Sequence, residues 1–215
     1  MIDFFFAQYA DYPTSEIVLE LIGVFFGLAS VWFAKKDNIW VFPTGLVNTS
    51  IYAYLLWKWE LLGDSMINVY YFVMSLYGWY HWTRKKEDVE EFPVAVATKK
   101  EHKIAALIFV ITLVFVFLVY QYFDKFTSWY NYVDTLLTAL FFVGMWLMAK
   151  RKIENWIFWI VGDFISIPLY FFKGYTFTSL QYLIFTILAI YGYLEWKKIL
   201  SNQRKETDER VVLES

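Results

Sequence analysis

The chain has 215 residues, of which 59% are hydrophobic, 23% aromatic and 19% charged, with a formal net charge of −2. Soluble domains hold about 45–50% apolar residues, so this composition, with a mean hydropathy of +0.42, excludes an ordinary soluble domain and points to a helical membrane protein. With no cysteine there is no disulfide, thiolate nucleophile or thiolate-held metal, and His81 and His102 alone do not make a zinc site.

The first stretch, 1–15, lacks the positive start and cleavage site of a signal peptide and reads as an extracellular, interfacial aromatic segment. After it the apolar residues gather into blocks of about twenty, enough to cross a hydrocarbon core about 30 Å thick. Seven spans are expected, at 16–34, 39–57, 64–82, 104–123, 129–149, 154–172 and 177–196. The long connector 83–103 reads as a cytoplasmic loop and 197–215 as a cytoplasmic polar tail. Sixteen of the 19 Lys and Arg residues fall on one set of alternate connectors and three on the other. By the positive-inside rule the amino terminus lies outside and the carboxyl terminus in the cytoplasm.

The second span carries Asn48, the third Asn68 with Tyr70 and Tyr71, and the seventh Gln181 with Tyr182. The sixth is the most informative. Trp156, Trp159 and Asp163 stand at i, i+3 and i+7, so they share one helical face. Asp163 lies roughly 14 Å in from Glu154, near the bilayer midplane. An ionised Asp there costs about 2.5–3.5 kcal/mol and normally faces a bundle interior or a wet cavity. Pro168 frees the carbonyl of Phe164, one residue beyond Asp163. Indole and phenol faces to stack on a ring, with amides and one acid to orient polar groups, make a binding cavity for a small polar aromatic molecule. A second reading is open for several of these residues. Asn48 and Asn68 also serve as hydrogen-bonded glue between helices, and Trp156 also fits the interfacial aromatic belt formed by Trp40, Trp57, Trp82, Trp129 and Trp196.

The chain also repeats. Ala34-Lys35-Lys36 answers Ala149-Lys150-Arg151; Trp40, Ser50 and Tyr54 answer Trp156, Ser166 and Tyr170 at an offset of 116; Tyr77-Gly78 and Trp82 answer Tyr191-Gly192 and Trp196 at 114. This predicts an all-α membrane protein of seven transmembrane helices arranged 3+1+3. Units 16–82 and 129–196 form a parallel internal repeat, and 104–123 is the linking helix. Familiar enzyme classes are excluded: there is no Gly-Lys-Ser/Thr phosphate loop, G-x-S-x-G or H-E-x-x-H, and the seventh span has no lysine for a retinal Schiff base. A membrane receptor that binds without transporting stays open.

The motif Trp156-x-x-Trp159-x-x-x-Asp163, followed by Leu169-Tyr170, Lys173-Gly174 and Thr178, resembles the PnuC family of bacterial vitamin transporters. Leu62-Gly63-Asp64, Tyr70-Tyr71 and Tyr77-Gly78-Trp79-x-x-Trp82 extend the likeness, which runs from Glu16 to Lys197. The resemblance implies a seven-helix carrier in the bacterial inner membrane, most familiar for nicotinamide riboside, with relatives that take thiamine or riboflavin. It implies facilitated diffusion, with the riboside trapped by intracellular phosphorylation, no cofactor, no nucleic-acid partner, and a homotrimer. It places Trp156, Trp159 and Asp163 in the nucleoside site; Asp163 replaces an Asn of some members, and Asn68 falls where many have Gln. Asn48, Tyr71 and Gln181 complete the expected set of substrate-binding residues. A phosphorylated mononucleotide fits poorly, because no Arg or Lys lies inside a span to receive phosphate.

Overall fold

The computed structural model of the chain describes residues 13–58, 62–86, 89–90, 92–173 and 176–214. Among them are seven helices: α1 (Thr14–Lys35), α2 (Val41–Lys58), α3 (Leu62–Trp82), α4 (Lys99–Tyr122), α5 (Tyr130–Ala149), α6 (Asn155–Phe172) and α7 (Thr176–Glu214). Between α3 and α4 two short strands, β1 (Lys85–Lys86) and β2 (Val89–Glu90), pair antiparallel. Most of the segment 1–15 lies outside the described residues, as does Gly174.

Each apolar block of the sequence falls on one helix, and two helices run well beyond their blocks. The start of α4 is Lys99, because Thr98 and Glu101 form a reciprocal capping box that fixes the first turn ahead of the apolar run. The end of α7 is Glu214, so the tail expected to be merely polar continues the last helix. It holds no Gly or Pro to stop it. By length and composition four of the helices among the described residues, α1, α4, α5 and α6, are apolar enough to cross a membrane. The expected count was seven. Asn48, Thr49 and Ser50 in α2, and Asn68, the tyrosines and His81 in α3, lower the hydropathy of those helices.

Packing closes six helices into a ring. Neighbours in sequence pack together (α1 on α2, α2 on α3, α5 on α6, α6 on α7), and the circuit is completed by α3 on α5 and α7 on α1. Helix α4 packs chiefly on α5 and turns Leu107, Val110, Ile111, Val114, Phe115 and Leu118 outward. The main buried cluster gathers where α1, α3 and α5 end, around Phe42, Trp82, Met148, Trp156 and Trp196.

Contacts in that cluster come in pairs. Helices α1 and α5 both end in Schellman turns: Asp37 N–H bonds the Ala34 carbonyl and Asn38 N–H that of Phe33, while Arg151 N–H bonds Met148 and Lys152 N–H bonds Leu147. The residues after the two caps, Asp37 (φ 53) and Arg151 (φ 57), are left-handed. Trp196 Nε1 donates to the Ala34 carbonyl at 3.0 Å, and Trp82 Nε1 to that of Met148 at 3.3 Å. Farther up, Ser65 Oγ donates to Ala53 and Ser179 Oγ to Ile167. In each pair the counterparts are 114 positions apart, the separation of Asp37 from Arg151. The same spacing matches Phe42, edge-on to Trp82 at 5.0 Å, with Trp156, edge-on to Trp196 at 5.6 Å. Aligning by identical letters set Trp40 opposite Trp156 at 116; packing selects Phe42 instead, because it is the ring that sits on a glycine, and Trp40 is exposed.

Each tryptophan N–H supplies a second bond to a carbonyl at a buried helix end. Trp196→Phe and Trp82→Phe are each expected to cost about 1–2 kcal/mol through the lost bond and its desolvated acceptor, read as lower thermal midpoints of the purified protein.

Candidate functional site

Helix α6 presents two different sides. Ile157, Val161 and Phe164 are exposed, whereas Trp156, Gly162, Asp163 and Ser166 are buried. Asp163 is 4% exposed, so its face turns inward. Pro168 and Phe164 lie on the outer side. The carbonyl freed by the proline belongs to Phe164, whose exposed side chain stands about 100° around the helix axis from that of Asp163.

Four helices bring aromatic rings to the level of Asp163. Trp159 stacks on Phe141 of α5 at 5.4 Å and meets Tyr71 of α3 at 6.4 Å. Phe141 lies nearly parallel to Tyr182 of α7 at 6.3 Å, and Tyr182 stacks on Tyr170 at 5.1 Å. The Tyr71 and Tyr182 hydroxyls are within electrostatic range of the Asp163 carboxylate and of Tyr170. Behind Tyr71, Tyr70 stacks on Phe142 at 3.9 Å and donates to its carbonyl at 3.1 Å, fixing α3 against α5. Gly162 makes the cluster possible, since a Cβ there would lie 2.3 Å from the Phe141 ring.

Asp163 has no hydrogen-bond or ion-pair partner among the described residues. Its oxygens are also not among the fully enclosed, unpartnered polar atoms, which are Asn131 Oδ1, Asn155 Oδ1 and Trp156 Nε1. Lys173 lies 5.2 Å over the Tyr170 ring, but its ammonium is taken by Asp134 at 2.5 Å. A buried carboxylate without a cation must take up a proton or be met by a positive charge from outside the chain. Aromatic faces around it favour a flat cation, through ring quadrupoles as well as stacking.

The structure gathers Trp159, Asp163 and Tyr71. Trp156 stands apart from them, 2% exposed against Trp196 and over Gly192, its N–H without an acceptor among the described residues. Asn48 faces α1, where it donates to the Gly23 carbonyl at 2.8 Å and fits the notch at Gly27. Asn68 and Gln181 are half-buried on α3 and α7, three residues before Tyr71 and one before Tyr182. Phe141, Tyr170 and Tyr182 join the cluster without being among the residues expected to bind substrate. Tyr182 carried a signal, a phenol beside an amide in an apolar span; Phe141, one of a Phe-Phe pair, carried none.

A family model described as nicotinamide mononucleotide transporter matches residues 17–198. The nicotinamide riboside transporter PnuC of Escherichia coli (strain K12) is 25% identical over 205 residues, covering 83% of this chain and 84% of that protein. The riboflavin/roseoflavin transporter RibM of Streptomyces davaonensis is 25% identical over 197 residues, covering 91% and 89%. A crystal structure of the vitamin B3 transporter PnuC superposes with a TM-score of 0.65 at 22% identity, covering 92% of this chain and 86% of that one.

Proposed function

The chain belongs to the nicotinamide mononucleotide transporter family, and on that footing we propose that it carries nicotinamide riboside into the cell by facilitated diffusion. The observation that carries this reading is the buried Asp163 carboxylate, without a protein cation among the described residues and set among Tyr71, Trp159, Tyr170 and Tyr182. The riboside's pyridinium ring is a flat cation and supplies the missing charge. Its phosphorylated form suits the site less well, since Asp163 repels a phosphate and the ammonium over the Tyr170 ring, that of Lys173, is already paired with Asp134. Phosphorylation inside the cell would then remove the riboside from equilibrium and give uptake its direction.

We read the bundle as two three-helix units, α1–α3 and α5–α7, in parallel repeat with α4 as the link. The substrate lies between them near the midplane, the amino terminus outside and the carboxyl terminus in the cytoplasm. Support comes from the closed ring, from contacts recurring 114 positions apart and from the alternating cations. A homotrimer is the expected assembly.

Proteoliposomes of the purified chain should equilibrate labelled nicotinamide riboside faster than protein-free vesicles and be at least tenfold slower with the mononucleotide. Equal rates for the two, or no protein-dependent entry of either, would discard the assignment. Thiamine is the second reading, because its thiazolium could meet Asp163 in the same way; the neutral flavin ring of riboflavin gains nothing from the carboxylate. Competition between the two cationic vitamins in one uptake assay ranks them.

A further inference from the structure

We propose that Asp37 and Arg151, with the Trp82–Trp196 pair beneath them, are the gate that closes the bundle at the end where α1 and α5 stop, and that this ion pair parts on each transport cycle. The inference rests on the transport reading above and adds to it which contact must break.

The pair joins the α1–α2 turn to the α5–α6 turn, one from each side of the ring. Arg151 Nε meets Asp37 Oδ1 at 2.8 Å and Nη2 meets Oδ2 at 2.7 Å. The two side chains are 5% and 15% exposed. Both residues occupy left-handed backbone positions, which cost an arginine more than an aspartate, so the Schellman turns aim the two side chains at each other. The guanidinium lies 4.7 Å over the Trp82 ring, and Trp82 lies 5.9 Å from Trp196, which in turn meets Trp156 at 5.6 Å. Trp156 is one helical turn from Trp159. The rings therefore form a plug between the ion pair and the Asp163 cluster.

A seam meant to stay shut would be better filled with apolar side chains, because a buried ion pair recovers little beyond its desolvation cost. A seam that opens onto water gains from charges, since each partner is rehydrated when the pair separates. Arg151 has a second anchor on its own side: Nη1 donates to the Phe92 carbonyl at 3.1 Å, and the connector is held to the α5–α6 turn through Ala95 N–H to Arg151 and Ile153 N–H to Ala95. Arg151 thus keeps a partner when Asp37 withdraws.

The test uses the natural absence of cysteine. Asp37→Cys and Arg151→Cys are combined, reconstituted, and bridged with a short bis-methanethiosulfonate reagent. Bridging is expected to lower riboside uptake at least tenfold, reversibly with reductant, while riboside binding in detergent changes less than threefold. Undiminished uptake after complete bridging overturns the gate, because a merely structural link would be served by the bridge. The charge swap, Asp37→Arg with Arg151→Asp, returns one Asp and one Arg to the two left-handed positions and gives a second reading. It should recover at least half of normal uptake where each single exchange leaves under a tenth with binding retained; a swap as inactive as the singles overturns the proposal. Wild-type vesicles that admit no riboside beyond the protein-free rate sink the transport reading and the gate with it, whereas entry indifferent to bridging sinks the gate alone.

Discussion

Replacing Asp163 by Asn should lower the affinity for nicotinamide riboside by one to two orders of magnitude and leave the reduced, uncharged riboside within threefold. The two side chains have nearly the same shape, so the change isolates charge. At roughly 5 Å and an effective dielectric near 20 a carboxylate–cation pair is worth about 3 kcal/mol, less where water comes between the two charges. Trp159→Ala should add a further loss of about 1–2 kcal/mol, since it removes an aromatic face from the same cation, and that loss should fall on both ligands through stacking. Titration of the purified protein with the oxidised and reduced ribosides separates the terms. An equal loss for both ligands in the Asn variant would mean that Asp163 orients hydroxyl groups and does not read charge.

Gly192→Ala and its counterpart Gly78→Ala should each be strongly destabilising for a single added methyl group. A Cβ on Gly192 would sit 2.5 Å from the Trp156 ring, and one on Gly78 would sit 2.4 Å from Phe42. Neither ring can yield, because Trp156 is wedged edge-on against Trp196 and Phe42 edge-on against Trp82. Overpacking of this kind costs about 1–3 kcal/mol, or several degrees of thermal midpoint in a chain of this size. Trp156→Phe in the Gly192→Ala background removes the atoms that collide and should recover part of the loss. A double-mutant cycle on thermal midpoints measures that coupling; additive effects would show that the helices separate instead of the rings clashing.

How much of this was legible in the sequence depends on the kind of signal. The helices were, because blocks of twenty apolar residues between cations leave little choice of structure. The inward face of α6 was legible too, since Trp159 and Asp163 share a helical side and an acid at that depth has nowhere else to point. Trp156 shares that side only in projection; two turns of helix separate it from Asp163, and its ring is taken up by Gly192 and Trp196. Asn48 shows the limit of counting depth, because distance along a helix does not say which neighbour an amide faces, and here Gly23 supplies the carbonyl. Phe141 could not be found at all: its part depends on the missing side chain of Gly162, a complementarity between helices that no local pattern records. Asp37 and Arg151 are 114 residues apart, and their meeting follows from ring closure together with the left-handed turns that present them.

The length of α7 has a mechanical consequence. Its 39 residues make a rod of about 58 Å, nearly twice the hydrocarbon thickness, and some 27 Å of it runs past Trp196. A rod seated against α1 and α6 pivots as they shift, so a tilt of about 10° at its seat displaces a point some 27 Å beyond it by roughly 5 Å. The chain thus carries its own pointer, and a dye near Lys205 would turn sub-nanometre rearrangements of the bundle into a signal legible in the aqueous phase.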